Sequence, residues 1–245
     1  LPEFIRKPLF SRLANAVIDL LPNKPDIIWN FDQCRFPDQK VFGQALKLFH
    51  VVDYYPSNVE MKIANSSDVI ISITDHVAGK YQHLKKPSTI VKHGVSDGLF
   101  NKHKKVDLPG SNRIKVGYSG NLYRPDFSNY KVMADIISEN REVDFIFMGK
   151  NYDQMIKALQ PFSNDFSNCH YVGFLDAEDL VAHLSSVDAN LLVYDSTKER
   201  KLTASPHKLK EYLAVGKTVI CNEMEAYEEQ AALLEMTTVE NLPVL

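Results

Sequence analysis

The sequence predicts an α/β protein built from two parallel-sheet lobes, and three observations carry that prediction. Short apolar stretches of strand length alternate with stretches of helical periodicity along almost the whole chain, the pattern of βαβ architecture. The alternation pauses once, at N-K-H-K-K-V-D-L-P-G-S-N (101–112), a polar, basic stretch containing Pro-Gly that reads as a linker or long loop. It then restarts with the same rhythm. The 245 residues have room for two lobes of about 100–150 residues each, expected here at 1–106 and 107–245.

The elements follow in order. The chain opens on a helix-like segment, and Asp26 to Phe31 reads as the first strand. Phe36 to Leu46 has helical spacing, and Leu48 to Asp53 is the next strand. Met61 to Ser66 makes a short helix before the strand Asp68 to Ile73. Thr74 or Asp75 caps a helix reaching about Leu84, and Ser88 to Lys92 is the last strand of the lobe. In the second lobe, strands are expected at Ile114–Tyr118, Asp144–Met148, His170–Val172, Ala189–Tyr194 and Thr218–Cys221. Helices are expected at Ser128–Ser138, near Tyr152–Leu159, at about Ala177–Ser186, and from Ser205 to the Gly216 stop. The strands end in polar residues or turns, which is where open α/β sheets keep their binding crevices.

Composition excludes several classes. Apolar residues make up 44% and charged residues 24%, and the apolar runs are strand-sized, such as Val69-Ile70-Ile71, far short of the roughly 20 residues that span a bilayer. Cys34, Cys169 and Cys221 stand far apart without CxxC spacing, and the eight histidines show neither HxH nor HExxH. No structural metal and no disulfide framework is therefore expected, and a reducing cytosol is the simplest setting. L-P-E-F-I-R-K-P-L-F has no uninterrupted apolar core, so no secretory signal is expected there, and Leu1 suggests a fragment or a processed product. Net charge is −3 but uneven: residues 1–106 carry fifteen Lys and Arg against ten Asp and Glu, residues 107–245 thirteen against twenty-one. Different partners for the two halves, or ordinary surface variation, account for that split equally well. R-K-P-L-F-S-R (6–12) suits an anionic lipid-linked acceptor or a membrane face, with a solvated helix face the stronger reading.

The most informative stretch is S-P-H-K-L-K-E-Y-L-A-V-G-K-T-V-I (205–220). Ser205 is a good N-cap, worth about 1 kcal/mol, Pro206 fits the first helical position, and Gly216 is a natural left-handed stop. Leu209 and Leu213 supply an apolar side. Lys208 and Glu211 are left over, three apart on one face near the helix start. A lysine there opposes the helix dipole by roughly 0.3–1 kcal/mol, which an anion at the same end would offset. A carboxylate one turn deeper can accept two hydrogen bonds from a vicinal diol such as a ribose. An ordinary surface pair is the competing reading. The first strand of this lobe leads into G-Y-S-G-N-L-Y-R (117–124), whose glycines allow close backbone approach to a ligand and whose Arg124 can reach an anion. It is not GxGxxG, so a dinucleotide fingerprint is not indicated.

The succession K-V-G-Y-S-G-N-L, F-I-F-M-G-K, H-Y-V-G-F-L-D-A-E-D-L, A-N-L-L-V-Y and S-P-H-K-L-K-E-Y-L-A-V-G-K-T-V-I resembles the C-terminal lobe of GT-B fold glycosyltransferases. It is most similar to the bacterial Glu-x7-Glu (family 4-like) enzymes carrying an S/M-P-x-K-x-x-E-Y-L-A-x-G-K-P-V-V block. In the first lobe, S-D-V-I-I-S-I-T-D-H-V-A and I-V-K-H-G-V-S-D-G-L-F resemble the family's strand–helix pair and its N-G-V-D-x-x-F exit. The resemblance runs from about residue 25 to about residue 230. It implies two Rossmann-like lobes with a ligand cleft between them, and a nucleotide diphosphate sugar donor held by the second lobe without a metal or other cofactor. Glu211 would then take the ribose hydroxyls. Ser205, Pro206, Lys208 and Leu209 would form the helix start facing the pyrophosphate or sugar, and Ser119, Gly120, Asn121 and Arg124 would meet the phosphates. Val172, Gly173 and Phe174 would meet the base edge, and Tyr194 would line the cleft. The activity implied is sugar transfer to a glycan or lipid-linked acceptor in cell-surface polysaccharide assembly, in the cytoplasm and at the inner membrane face, with no nucleic-acid partner.

The departures are specific. Thr203 stands where the first glutamate of the related enzymes falls, Asn121 and Arg124 replace the usual phosphate-loop Arg and Lys, and His93 and Ser96 replace Asn and Asp in the exit motif. Thr218 replaces a proline, and the first lobe's opening strand and glycine-rich loop are not visible. Asp32, Asp53, His76 and His93 are the candidates for a catalytic base, each with a plain turn or capping role as the stronger reading. A nucleotide-sugar epimerase on the same fold and a non-catalytic two-lobed sugar-binding protein are the alternatives.

Overall fold

In a computed structural model, which describes residues 3–34, 36–52, 58–101, 103–125, 128–195, 207–223 and 234–237, the chain forms two compact units. They part between His93 and Gly94.

The first unit opens with helix α1 (Glu3–Asp19) and carries a parallel sheet in the order β1-β2-β3-β4. Its strands are β1 (Ile27–Asn30), β2 (Leu46–Val51), β3 (Val69–Ser72) and β4 (Ser88–Ile90). Helices α2 (Asn58–Ser66) and α3 (Asp75–Gly79) close a core around Phe49, Val51, Ile63, Ile70, Val77 and Tyr81. Thr74 caps α3, its hydroxyl accepting from the Val77 amide at 3.2 Å. That helix stops at Gly79 rather than reaching Leu84, and a separate 3-10 turn covers Gln82–Leu84.

The helix expected over Phe36–Leu46 is a single 3-10 turn, Gln39–Phe42. Phe36 and Gly43 both have positive φ (48° and 67°), which no continuing helix accommodates, and the Asp38 side chain caps the short turn by accepting from the Lys40 amide.

The second unit carries a parallel sheet in the order β10-β9-β8-β5-β6-β7. Its strands are β5 (Ile114–Asn121), β6 (Val143–Lys150), β7 (Cys169–Gly173), β8 (Ala189–Leu192), β9 (Thr218–Asn222) and β10 (Glu235–Thr237), the last not foreseen from sequence. Helices α4 (Tyr130–Glu139) and α5 (Tyr152–Leu159) cover one core, containing Met133, Ile136, Phe145 and Phe147. A second core contains Ile146, Met148, Leu184, Leu209 and Tyr212, contributed in part by α6 (Ala177–Ser186) and α7 (His207–Ala214). Gly216, with φ 70°, follows α7 as the left-handed stop read from the sequence.

The unit boundary falls earlier than the 106/107 division expected from the polar stretch. Contacts explain the shift. The Val106 amide donates to Ser186 Oγ at 3.0 Å, Lys105 Nζ donates to the Ser185 carbonyl, and His207 Nε2 lies 2.9 Å from the Gly94 carbonyl oxygen. A 3-10 turn at Asp97–Phe100 also packs against α7. The segment from Gly94 is therefore part of the second unit.

Candidate functional site

The second sheet has one topological switch point. β5 leads on to β6 on one side, while β8, its partner on the other side, leads on to β9 away from it, so the connections leaving the carboxyl ends of β5 and β8 run in opposite directions. Ligands of open α/β sheets settle in that crevice. Here the β5 end carries Ser119, Gly120 and Asn121, the end of β8 leads to Tyr194, and α7 brings Lys208 and Glu211.

Lys208 is half-buried and lies directly over the β5 end. A Cβ built on Gly120 (φ 110°) would fall 2.6 Å from Lys208 Nζ, and the ammonium stands 5.2 Å from the centroid of the Tyr118 ring. The dihedral angle calls for glycine at residue 120, and any side chain there would displace the Lys208 amine. Gly149, its register partner on β6, is equally constrained, since a Cβ there would overlap the Gly120 carbonyl. Burial, helped by the nearby Arg124 charge and opposed by Glu211, lowers the Lys208 pKa to about 8. The cation is thus held with little solvation at the crevice, beside a second cation, which is the electrostatic setting of an anion site.

Glu211 pairs with His207 rather than with Lys208: its Oε1 lies 3.0 Å from His207 Nδ1 across one helical turn. The carboxylate is partly exposed and on the same side of α7 as Lys208. Leu209 is fully buried in the core, so it supports the helix and presents nothing to a ligand. Ser205, Pro206 and Thr203 lie outside the described residues, as does Asp53.

Ser119 differs from its expected place against the phosphates. It is buried, and the Tyr212 hydroxyl takes both of its polar groups: the Ser119 amide donates to it at 2.9 Å, and Ser119 Oγ lies 3.0 Å away. Tyr212 is fully buried on α7, and burial raises its pKa. Sequence reading assigned Tyr212 no role. The signal was there, because a buried phenol needs a hydrogen-bond partner, but its partner lies 93 positions away.

The neighbouring loop is held by its own side chains. Asn121 is exposed, and its Oδ1 accepts from Asn151 Nδ2 at 2.8 Å and from the Tyr123 amide at 3.3 Å. Arg124 is exposed at its side chain, while its amide donates to the Tyr130 hydroxyl at 2.6 Å. At the far edge of the sheet, Val172 packs on the second core, and Gly173 has φ 101° with open space around it. Phe174 is 67% exposed, with Lys150 Nζ 4.5 Å from its ring centroid. Tyr194 is half-buried, its amide bonded to Asn222 Oδ1 at 2.9 Å.

The candidates for a base have ordinary surroundings. Asp32 forms a turn after β1, its Oδ1 accepting from the Cys34 amide at 2.7 Å. His76 is exposed in the first turn of α3, and His93 is half-buried at the end of the first unit. Among the described residues there is no cluster of three His, Cys, Asp or Glu placed to hold a metal. No helix among them is long and apolar enough to cross a membrane.

No protein-family model matches the chain, and no curated protein sequence matches it. Solved structures do. Anabaena HepE, crystallised with UDP and glucose, superposes with a TM-score of 0.67 at 15% identity, over 94% of this chain and 67% of its own. A glycosyltransferase from Rickettsia africae gives 0.65 at 12% identity, over 96% of this chain and 67% of that one. WaaG, a glycosyltransferase involved in lipopolysaccharide biosynthesis, gives 0.64 at 12% identity, over 94% and 69%. The fold is that of GT-B glycosyltransferases: α/β, with two parallel sheets flanked by helices.

Proposed function

We propose that the chain binds a nucleotide diphosphate sugar through its second unit and belongs to an enzyme transferring that sugar to a glycan or lipid-linked acceptor in cell-surface polysaccharide assembly. The observation that carries this reading is Lys208 poised over Gly120 at the switch point, with Glu211 one turn deeper on the same helix. Lys208 and Arg124 supply positive charge where a departing diphosphate would develop negative charge, a stabilisation that needs no metal. A ribose diol can donate to the Glu211 carboxylate alongside His207. Gly173 and Phe174 end a strand two places from β5, about 10 Å across the sheet. That is a suitable span from diphosphate to base, with the open backbone at Gly173 as the contact for the base edge. HepE was crystallised with UDP and with UDP-glucose on the same fold, which supports a uridine nucleotide as the first donor to try.

Titration with UDP and GDP tests the reading. Glu211→Ala should weaken nucleotide binding about 10-fold to 100-fold, the equivalent of a lost charged hydrogen bond. Absence of nucleotide binding, or binding indifferent to Glu211→Ala, rejects the site. Release of nucleotide diphosphate that depends on an added acceptor distinguishes a transferase from an epimerase. Affinity for free sugar without affinity for nucleotide points to a binding protein instead.

A further inference from the structure

His207 stands between two oxygen acceptors in the first turn of α7. Its Nδ1 lies 3.0 Å from Glu211 Oε1, and its Nε2 lies 2.9 Å from the Gly94 carbonyl oxygen. A carbonyl only accepts, and so does an ionised carboxylate, so the ring that satisfies both carries a proton on each nitrogen. Gly94 begins the second unit, and its carbonyl ties the imidazole to the main chain.

The charges around it make that arrangement consequential. Lys208 and Glu211 form an i, i+3 pair of opposite charge, a spacing at which two side chains on one helix can meet. A direct pair would draw the ammonium off Gly120 and close the carboxylate to a diol. The structure has the other arrangement. Glu211 pairs with His207, while Lys208 stays over Gly120, feeling the repulsion of Arg124 and the attraction of Glu211. On the segment His93–Phe100, which meets α7 at Gly94 and at the 3-10 turn, the titratable groups are His93 and exposed Asp97. β9, also packed against α7, carries no charged residue.

We propose that His207 is a positioning residue of the nucleotide site, one that keeps Glu211 and Lys208 apart. It holds Oε1 of the carboxylate and leaves Oε2 to the ribose, and by occupying Glu211 it keeps the Lys208 ammonium free for the diphosphate. This role rests on the reading of Glu211 and Lys208 as donor-site residues.

The test titrates UDP and 2′-deoxy-UDP into the 245-residue chain from pH 7 to 10. His207 is exposed, so substitutions there leave the core intact. In His207→Phe the carboxylate is released to Lys208, and UDP affinity should fall about 10-fold, the size of a lost charged hydrogen bond. The preference for UDP over its 2′-deoxy analogue should shrink several-fold. The pH at which UDP affinity is lost should also rise from the Lys208 value of about 8, because a paired carboxylate favours the ammonium. His207→Gln, whose amide still donates to Glu211 across one turn, should restore most of the affinity and the parent's pH midpoint. Parent-like affinity, preference and midpoint in His207→Phe overturn the proposal. A fall in affinity with preference and midpoint unmoved also overturns it, and makes His207 a support of α7 alone. A parent that binds no UDP, or binds it indifferently to Glu211→Ala, rejects the nucleotide site itself and this role with it.

Discussion

Lys208 combines a functional asset with a stability cost. Its pKa is lowered from 10.5 to about 8 because burial disfavours the charged form, Arg124 adds repulsion, and Glu211 only partly compensates. Below pH 8 the folded protein therefore carries a charge that the unfolded chain solvates better. Between about 8 and 10.5 the unfolded state binds the extra proton, so this group's contribution to stability rises with pH in that window. Lys208→Met should stabilise the chain at pH 7 by about 2 kcal/mol, raising the melting temperature by a few degrees, while lowering UDP affinity. Nucleotide affinity of the parent should fall as pH rises from 7 to 9, as the ammonium is lost, and the residual affinity of the variant should be flat over the same range. Isothermal titration at three pH values checks both. The importance of Lys208 was legible from a lysine standing where the helix dipole disfavours it. Its partner was not, since the pair at i, i+3 competed with His207 and Glu211 at i, i+4, and the histidine won.

Two contacts between elements set the geometry of the second unit. Tyr212 ties α7 to the end of β5, and with it the position of Lys208 over Gly120. Tyr212→Phe keeps the ring but strands the buried Ser119 amide and hydroxyl, so urea unfolding should show a loss of about 1–3 kcal/mol, and UDP affinity should fall as the two elements loosen. At the opposite end of the sheet, buried Asp144 accepts from Lys115 Nζ at 2.6 Å and from the Asn112 amide at 2.8 Å, and faces His170 Nε2 at 2.9 Å. Burial alone would raise its pKa, but Lys115, His170 and Asn112 together hold it below 3.8. Its stabilising contribution is therefore present above pH 3.8 and lost as pH falls through the lower folded value. Asp144→Asn should cost about 2–4 kcal/mol at pH 7, a penalty that shrinks in strong acid, as pH-resolved denaturation would register. Sequence periodicity located these strands and helices because apolar residues recur at the period of each element. It missed the Tyr212 and Asp144 contacts because a hydrogen bond between distant residues leaves no period. The break at Phe36 and Gly43 was missed for a related reason, as helical spacing of side chains says nothing about the sign of φ.

At the scale of the whole chain, the α/β class and the division into two parallel sheets were legible in the rhythm of the sequence, because a buried parallel strand is almost wholly apolar. The place of the division was not. A polar, Pro-Gly-bearing stretch looks like a linker whether it hangs in solvent or lies along a neighbouring helix, and here it is bonded to the end of α6, while the residues just before it pack on α7. Lys105 and Val106 bond to Ser185 and Ser186, and just ahead of the stretch Leu99 is buried. The truncation that separates these two boundaries is straightforward. Residues 94–245 keep the Gly94–His207 contact, both bonds to α6 and the buried Leu99, whereas residues 107–245 lose them all. Three hydrogen bonds at about 1 kcal/mol each, in a unit of this size, correspond to a melting temperature roughly 5–10 °C lower for the shorter piece. The longer piece should fold cooperatively by itself and retain UDP binding. Equal melting temperatures for the two pieces would return residues 94–106 to the role of a linker, and would detach α7 from the support that the segment beginning at Gly94 gives it.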